Sequence, residues 1–390
     1  MPCFEMARRV RELPPYLFAE IDRAKNKARE SGLDIISLGI GDPDTPTPDF
    51  IIKALQEAAT KGENHRYPSY AGLPAFRRAV TDWYARRFGV ADLAPETEAL
   101  GLIGSKEGIA HFPLAFIDPG DLALVCTPNY PVYDISVKFA GGQVEYLPLT
   151  RENDFLPDLD SISPALLERA KAIYLNYPNN PTAATATREF YQRAIELALR
   201  HKLIIVHDTA YTEIYYDPAN KPMSIMELPG AKETAIEFHS LSKTFNMTGW
   251  RIGMAVGNAC LVAGLGKIKE NMDSGIFQAV QEAGIAALSP QGDAFNESLR
   301  AMYLERRDAA AEVLNKLGLE FQLPKATFYM WVRTPAGRSS ASFVTNVLEK
   351  TGVVLTPGNG FGQPGEGWFR ISLTVPAPRI KEALERLTAL

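Results

Sequence analysis

The residues best equipped for chemistry lie in Ser240-Leu-Ser-Lys-Thr-Phe-Asn-Met-Thr-Gly-Trp-Arg-Ile-Gly253, where Arg251 follows Lys243 by eight positions. The stretch comes just after a short apolar run. A lysine at such a place is partly stripped of water, which lowers its pKa and makes the amine a nucleophile toward a carbonyl. The hydroxyls of Ser240 and Ser242 and the guanidinium of Arg251 bracket it and suit a phosphate. An isolated S-x-S-K is more often an ordinary solvated loop, so its neighbours decide the reading.

Four other run ends carry complementary groups. Leu203–His207 ends in Asp208-Thr-Ala-Tyr211, a carboxylate suited to a protonated ring nitrogen and a phenol suited to a ring oxygen. On their own they would read as a helix N-cap and a packed tyrosine. Ala172–Asn176 leads into Tyr-Pro-Asn-Asn-Pro-Thr182, which sets the amide of Asn180 at a proline-stiffened turn. Gly104-Ser-Lys-Glu-Gly108 is a small-residue turn entering a helix, a backbone nest for phosphate oxygens. Pro128-Asn-Tyr-Pro-Val-Tyr133 offers an aromatic plate for a ring face. A phosphate nest, a plate, an amide, an acid with a phenol, and a lysine with an arginine together describe one ligand. It is a phosphorylated pyridine ring bearing an aldehyde, pyridoxal 5′-phosphate.

The elements that must position these groups follow from the apolar pattern. Short runs at Ala99–Ile103, Leu122–Cys126, Gln143–Leu147, Ala172–Asn176, Leu203–His207, Thr234–Phe238 and Ile252–Val256 read as buried parallel strands. Helical stretches alternate with them, as at Arg188–His201, where Phe190, Ala194, Leu197 and Ala198 share one stripe. The pattern predicts an α/β fold: a large domain with a mostly parallel sheet between helices, plus a smaller α+β domain. In such sheets ligands bind beyond the carboxyl ends of the strands. The large domain is expected over 46–275, and the small one over 1–45 and 276–390, with strands at Phe328–Val332 and Trp368–Leu373 and a closing helix at Arg379–Leu390. The rigid stretch Gly39–Pro48 suits the crossing between them, and a helix near Phe18–Glu30 is expected to pack with the C-terminal part.

Composition narrows the function. At 390 residues, 46% of them hydrophobic and 22% charged, the chain has ample material for packed cores. The net charge of −5 leaves no electrostatic footprint for nucleic acid. Three cysteines without CxxC spacing argue against a disulfide framework or a metal site and fit a reducing compartment. No run reaches the ~20 apolar residues of a membrane span, so a cytoplasmic protein is expected.

Over nearly its whole length the sequence resembles the class I/II aminotransferases of fold type I, most specifically in S-x-S-K-x-F-x-M-T-G-W-R-I-G. The resemblance implies that Lys243 is the catalytic residue, linked covalently to the cofactor aldehyde. It implies that Asp208 pairs with the ring nitrogen, that Tyr211 and Asn180 bond the ring oxygen, and that Tyr130 stacks on the ring. Ser105, Lys106, Ser240 and Arg251 would hold the phosphate, and the cofactor would cycle through pyridoxamine 5′-phosphate. Trp368-Phe-Arg-Ile-Ser-Leu373 resembles the strand whose arginine, here Arg370, forks onto the substrate carboxylate. Arg66–Pro74 resembles a loop whose tyrosine, here Tyr67, reaches the phosphate of a neighbouring subunit, which implies a homodimer with shared active sites. One departure stands out: the family usually reads Asn-Pro-Thr-Gly where Ala183 and Ala184 here follow Thr182.

Within the family, Leu13–Asp22, Leu38–Asp44 and Asp273–Gln278 most resemble the branch that exchanges an amino group between LL-2,6-diaminopimelate and 2-oxoglutarate. Such a substrate is charged at both ends and needs a second anchor; Gly41, Tyr16, Lys106 and, across a dimer interface, Gln278 are the candidates beside Asn180 and Arg370. The loop near Tyr70 reads Tyr-Ala-Gly where related enzymes often carry a glutamate, so aspartate, alanine and aromatic donors stay open. Rival classes fare worse. Ser240-x-x-Lys243 with Lys350-Thr-Gly352 imitates a serine acyl-enzyme of penicillin-binding type, but the second motif reads as a helix end. Gly358-Asn-Gly-Phe-Gly362 is not a dinucleotide fingerprint, and a purely binding role would not need lysine, aspartate, tyrosine and arginine together.

Overall fold

Seven short apolar segments pair into the central sheet of the computed structural model, which describes residues 4–14, 17–30 and 32–390. They are β1 (Ala99–Leu102), β2 (Leu122–Thr127), β3 (Gln143–Pro148), β4 (Ala170–Asn176), β5 (Ile204–Asp208), β6 (Ala235–Ser240) and β7 (Gly253–Gly257). Their spatial order is β1-β7-β6-β5-β4-β2-β3. Along β4 the two-residue period sends Ile173 and Leu175 into one hydrophobic cluster and Ala172 and Tyr174 into the other, so both faces are dry. Helices Pro74–Phe88 and Arg188–His201 cover one face; Ser105–Phe116, Val132–Phe139 and Ala259–Met272 cover the other. The 188–201 helix has the span its periodicity predicts, with Thr187 Oγ1 accepting from Phe190 N and Lys202 left-handed at its end.

One strand departs from the expected direction. β7 pairs antiparallel with both β6 and β1, whereas the other pairs are parallel. The link from Ser240 to Gly253 contains only two brief helical turns, Leu241–Thr244 and Thr248–Trp250. A parallel return needs a long crossover, usually a full helix packed across the sheet. The chain therefore turns back at the end where it left.

The C-terminal part builds a second core from a 27-residue helix, Pro290–Lys316, and an antiparallel sheet ordered β9-β10-β8. Here β8 is Tyr329–Arg333, β9 Thr356–Pro357 and β10 Trp368–Ser372. The helix Leu17–Glu30 joins it by packing Ile21 against Leu348 and Val354, and Ile36–Ser37 pairs parallel with Val353–Val354. Helix Gln278–Ala287 packs differently from its neighbours in sequence, burying Ala283 and Ala287 beside Phe76 and Trp83 of the large core. Lys350-Thr-Gly352 closes a helix, Ser340–Thr351, with Gly352 left-handed at φ 71°. Among the described residues no helix is long and apolar enough to cross a membrane.

The crossing segment is tied down by a fork. Arg306 of the 27-residue helix donates from Nη1 and Nη2 to both carboxylate oxygens of Asp44 at 2.7 and 2.9 Å, and from Nη1 to Leu373 O at 3.1 Å. Its guanidinium is buried, so truncation leaves a carboxylate and a carbonyl without their donor. Arg306→Met is expected to lower unfolding stability by about 3 kcal/mol in urea titrations.

Candidate active site

Because β7 runs against β6, its first residues sit at the carboxyl end of the sheet, and Arg251 arrives beside the residues that follow β1, β5 and β6. A cavity of about 340 Å³ opens there. Gly41, Ser105, Lys106, Tyr130, Asn180, Asp208, Tyr211, Ser240, Lys243, Arg251 and Arg370, all singled out from sequence, line it together. Two do not: Tyr67 is 88% exposed, and Gln278 donates from Nε2 to Glu63 O at 3.4 Å. Tyr16 lies outside the described residues.

At one end the helix Ser105–Phe116 begins after Gly104, whose φ is 77°. A Cβ at Gly104 would stand 2.1 Å from Arg251 Nη2, so only glycine lets the guanidinium seat over the positive end of the helix. Arg251 is itself left-handed and donates from Nη1 to Thr248 O at 2.8 Å. Ser240 Oγ accepts from Ser242 N and so closes the turn that carries Lys243. Behind the helix start, Glu107 accepts from Ile103 N and Lys269 Nζ, each at 3.0 Å. Burial opposes that charge, yet its bond to His111 and the Lys269 ammonium hold the carboxyl below its usual range. Glu107, His111 and Asp273 bring metal-ligand atom types together, but the Lys269 ammonium bonds both carboxylates.

Across the cavity Asp208 ends β5 and is buried. Its oxygens accept from Tyr133 Oη at 2.8 Å and Ala210 N at 3.2 Å. Burial raises its pKa, and those two bonds only partly offset the rise. An anion so placed favours a cation beside it. Asn176 braces the strand end: its Nδ2 donates to Asp208 O and its Oδ1 accepts from Asn180 N, both at 2.9 Å.

Two cations complete the site. Lys243 Nζ donates to Gly41 O at 2.7 Å, and burial, helped by Arg370 and Arg251, pulls its pKa from 10.5 down to about 8 against the opposing charge of Asp42. Arg370 is 1% exposed; it donates from Nη1 to Asn180 Oδ1 at 2.6 Å and from Nη2 to Gly39 O at 2.7 Å. Its guanidinium lies 4.1 Å from the ring centre of Tyr329, whose hydroxyl is 3.0 Å from that of Tyr211. A Cβ on Gly41 would meet Tyr329 Oη at 1.9 Å, so glycine is required there too.

The family model for aminotransferase class I and II matches residues 33–387. The chain belongs to that family. A relative from Nitratidesulfovibrio vulgaris (strain Miyazaki F), named LL-diaminopimelate aminotransferase, is 64% identical with the whole of both chains covered. One of the same name from Aquifex aeolicus is 56% identical over 99% of each chain. Among solved structures, substrate-bound BacF from Bacillus subtilis superposes with a TM-score of 0.95 at 37% identity, covering 99% of this chain and 98% of that one. Enzymes of this family work with pyridoxal 5′-phosphate, and the aminotransferase cavity fits it: its lining brings together an anion seat shaped by Gly104 and Arg251, a buried acid and a desolvated amine.

Sequence reasoning missed Tyr133, Asn176 and Tyr329 as parts of the site. The Asn-Pro-Thr-Ala departure keeps its turn: Ala183 N donates to Asn179 O at 3.0 Å, and Ala183 takes the glycine conformation at φ 62°. Ala183→Gly is therefore expected to raise stability by about 0.5–1 kcal/mol in urea melts. A second outcome concerns pH. With the amine lowered to about 8, its nucleophilic neutral form gains roughly tenfold per unit up to that pH and then levels off. The rate at which cofactor-free protein captures added pyridoxal phosphate, followed by absorbance, is expected to trace that curve.

Proposed function

We propose that this aminotransferase uses pyridoxal 5′-phosphate to exchange an amino group between LL-2,6-diaminopimelate and 2-oxoglutarate, by a ping-pong route, in the synthesis of lysine and cell-wall precursors. The observation that carries the chemistry is the buried Lys243 amine, its pKa pulled down to about 8 chiefly by burial, in one cavity with the buried Asp208 and Arg370. The substrate rests on the 64% identical relative.

When bound, the cofactor supplies an aldehyde for the amine and a ring that withdraws electrons from the substrate Cα. Ser105, Lys106, Ser240 and Arg251 would hold its phosphate, Tyr130 would stack on its ring, and Asn180 and Tyr211 would bond its ring oxygen. Asp208 keeps a proton on its ring nitrogen. Arg370 orients the substrate by presenting paired N–H donors to its α-carboxylate. The Lys243 amine, lowered in pKa and inside the cavity, would take the proton from the substrate Cα and return it on the other side of the transfer. The first oxo acid leaves before the second binds.

Residues 46–275 with the helix Gln278–Ala287 form the cofactor-binding part in this reading, and the remaining chain forms a smaller substrate-facing part. Tyr67, Tyr70 and Phe277 expose 88%, 43% and 44% of their surface, which supports a homodimer in which Tyr67 and Gln278 serve the partner's site. A cytoplasmic setting suits these substrates.

Lys243→Ala removes both the attachment point and the proton carrier. Turnover of LL-diaminopimelate with 2-oxoglutarate is expected to fall by about 10⁴-fold or more, while wild-type protein uses this donor faster than aspartate, alanine or tyrosine. Near-normal turnover by the alanine variant would overturn the assignment.

A further inference from the structure

Diaminopimelate carries a carboxylate and an ammonium at each end. At the reacting end Arg370 meets the first and the second is transferred. The distal pair stays charged inside the cavity and must be matched there. The described lining supplies four cationic side chains, Lys106, Lys243, Arg251 and Arg370, but only two carboxylates, Asp208 and Asp22. Asp208 is already committed, because Tyr133 and Ala210 bond its two oxygens.

That leaves Asp22. It sits on the helix Leu17–Glu30, and about half of its side chain is exposed, at 49%. Its Oδ1 bonds Lys25 Nζ one turn along the same helix, and Lys25 is not part of the lining. An i,i+3 pair of this kind is weakly held. Its ammonium can give way to one brought by a substrate, so the carboxylate keeps a cationic partner throughout.

Resting on the diaminopimelate reading above, we infer that Asp22 receives the distal ammonium of the amino donor. The arrangement also separates the two substrates of one cavity. 2-Oxoglutarate has a distal carboxylate and no ammonium, so it gains nothing from Asp22. Asp22 thus sets preference for a diamino over a monoamino dicarboxylate.

The test compares LL-diaminopimelate with L-2-aminopimelate, which keeps the chain and both carboxylates but lacks the distal ammonium. Holoenzyme carrying Asp22→Asn is assayed with each donor against 2-oxoglutarate. The ratio of kcat/KM, diaminopimelate over aminopimelate, is expected to fall about 10- to 100-fold, chiefly through KM. Asp22→Glu is expected to restore part of the ratio, which a general loss of helix packing would not. A ratio within about twofold of wild type in Asp22→Asn overturns the inference while leaving the aminotransferase reading intact. Wild-type enzyme that does not use LL-diaminopimelate overturns the substrate reading and this inference together.

Discussion

The carbonyl oxygens of Leu38, Gly39, Ile40 and Gly41 all accept hydrogen bonds from distant parts of the chain. Ser372 N reaches Leu38, Thr356 Oγ1 and Arg370 Nη2 reach Gly39, Thr374 Oγ1 reaches Ile40, and Lys243 Nζ reaches Gly41. The acceptors are neutral, and that matters electrically. A carboxylate facing Lys243 at this distance would stabilise its ammonium and drive the pKa upward. A peptide carbonyl satisfies the donor and adds no charge, so burial and the nearby guanidinium groups prevail. Two glycines let this backbone lie close: Gly41 against Tyr329, and Gly39 against Val354.

Around that row the strand ends divide the labour. The parallel strands deliver Asn176 and Asp208 by their carboxyl ends, and β6 delivers Ser240 and the turn with Lys243. β7 contributes by being reversed, since a parallel β7 would carry Arg251 to the opposite edge of the sheet. The Glu107–Lys269–Asp273 cluster, built on a buried lysine, steadies the helix start against which Arg251 packs, so an ion network outside the cavity fixes an ion seat inside it.

Much of this arrangement is legible in the sequence because strand ends in an α/β sheet are also site positions. Lys243, Asp208, Asn180 and Ser105 announce themselves by following apolar runs. Tyr133 and Tyr329 do not, because their importance lies in partners 75 and 118 residues away, Asp208 and Tyr211. The direction of β7 is equally silent: an apolar run buried on both faces looks the same in either sense, and only the brevity of the preceding link distinguishes them. Helix Gln278–Ala287 follows the change of pattern near residue 275, yet its small residues pack on the earlier core. Ala183 holds a left-handed turn without the usual glycine because the Asn179 backbone bonds both it and Ala184: Asn179 O accepts from Ala183 N, and Asn179 N donates to Ala184 O.

Asp34, near the beginning of the chain, bonds Arg379 and Arg386 near its end, and Arg370 reaches back 331 positions to Gly39. During synthesis the ribosome releases the whole central sheet, with Asp208, Lys243 and Arg251, well before Arg370 emerges. A nascent chain therefore presents Asp208, Lys243 and Arg251 before it has made the buried guanidinium that lines the same cavity.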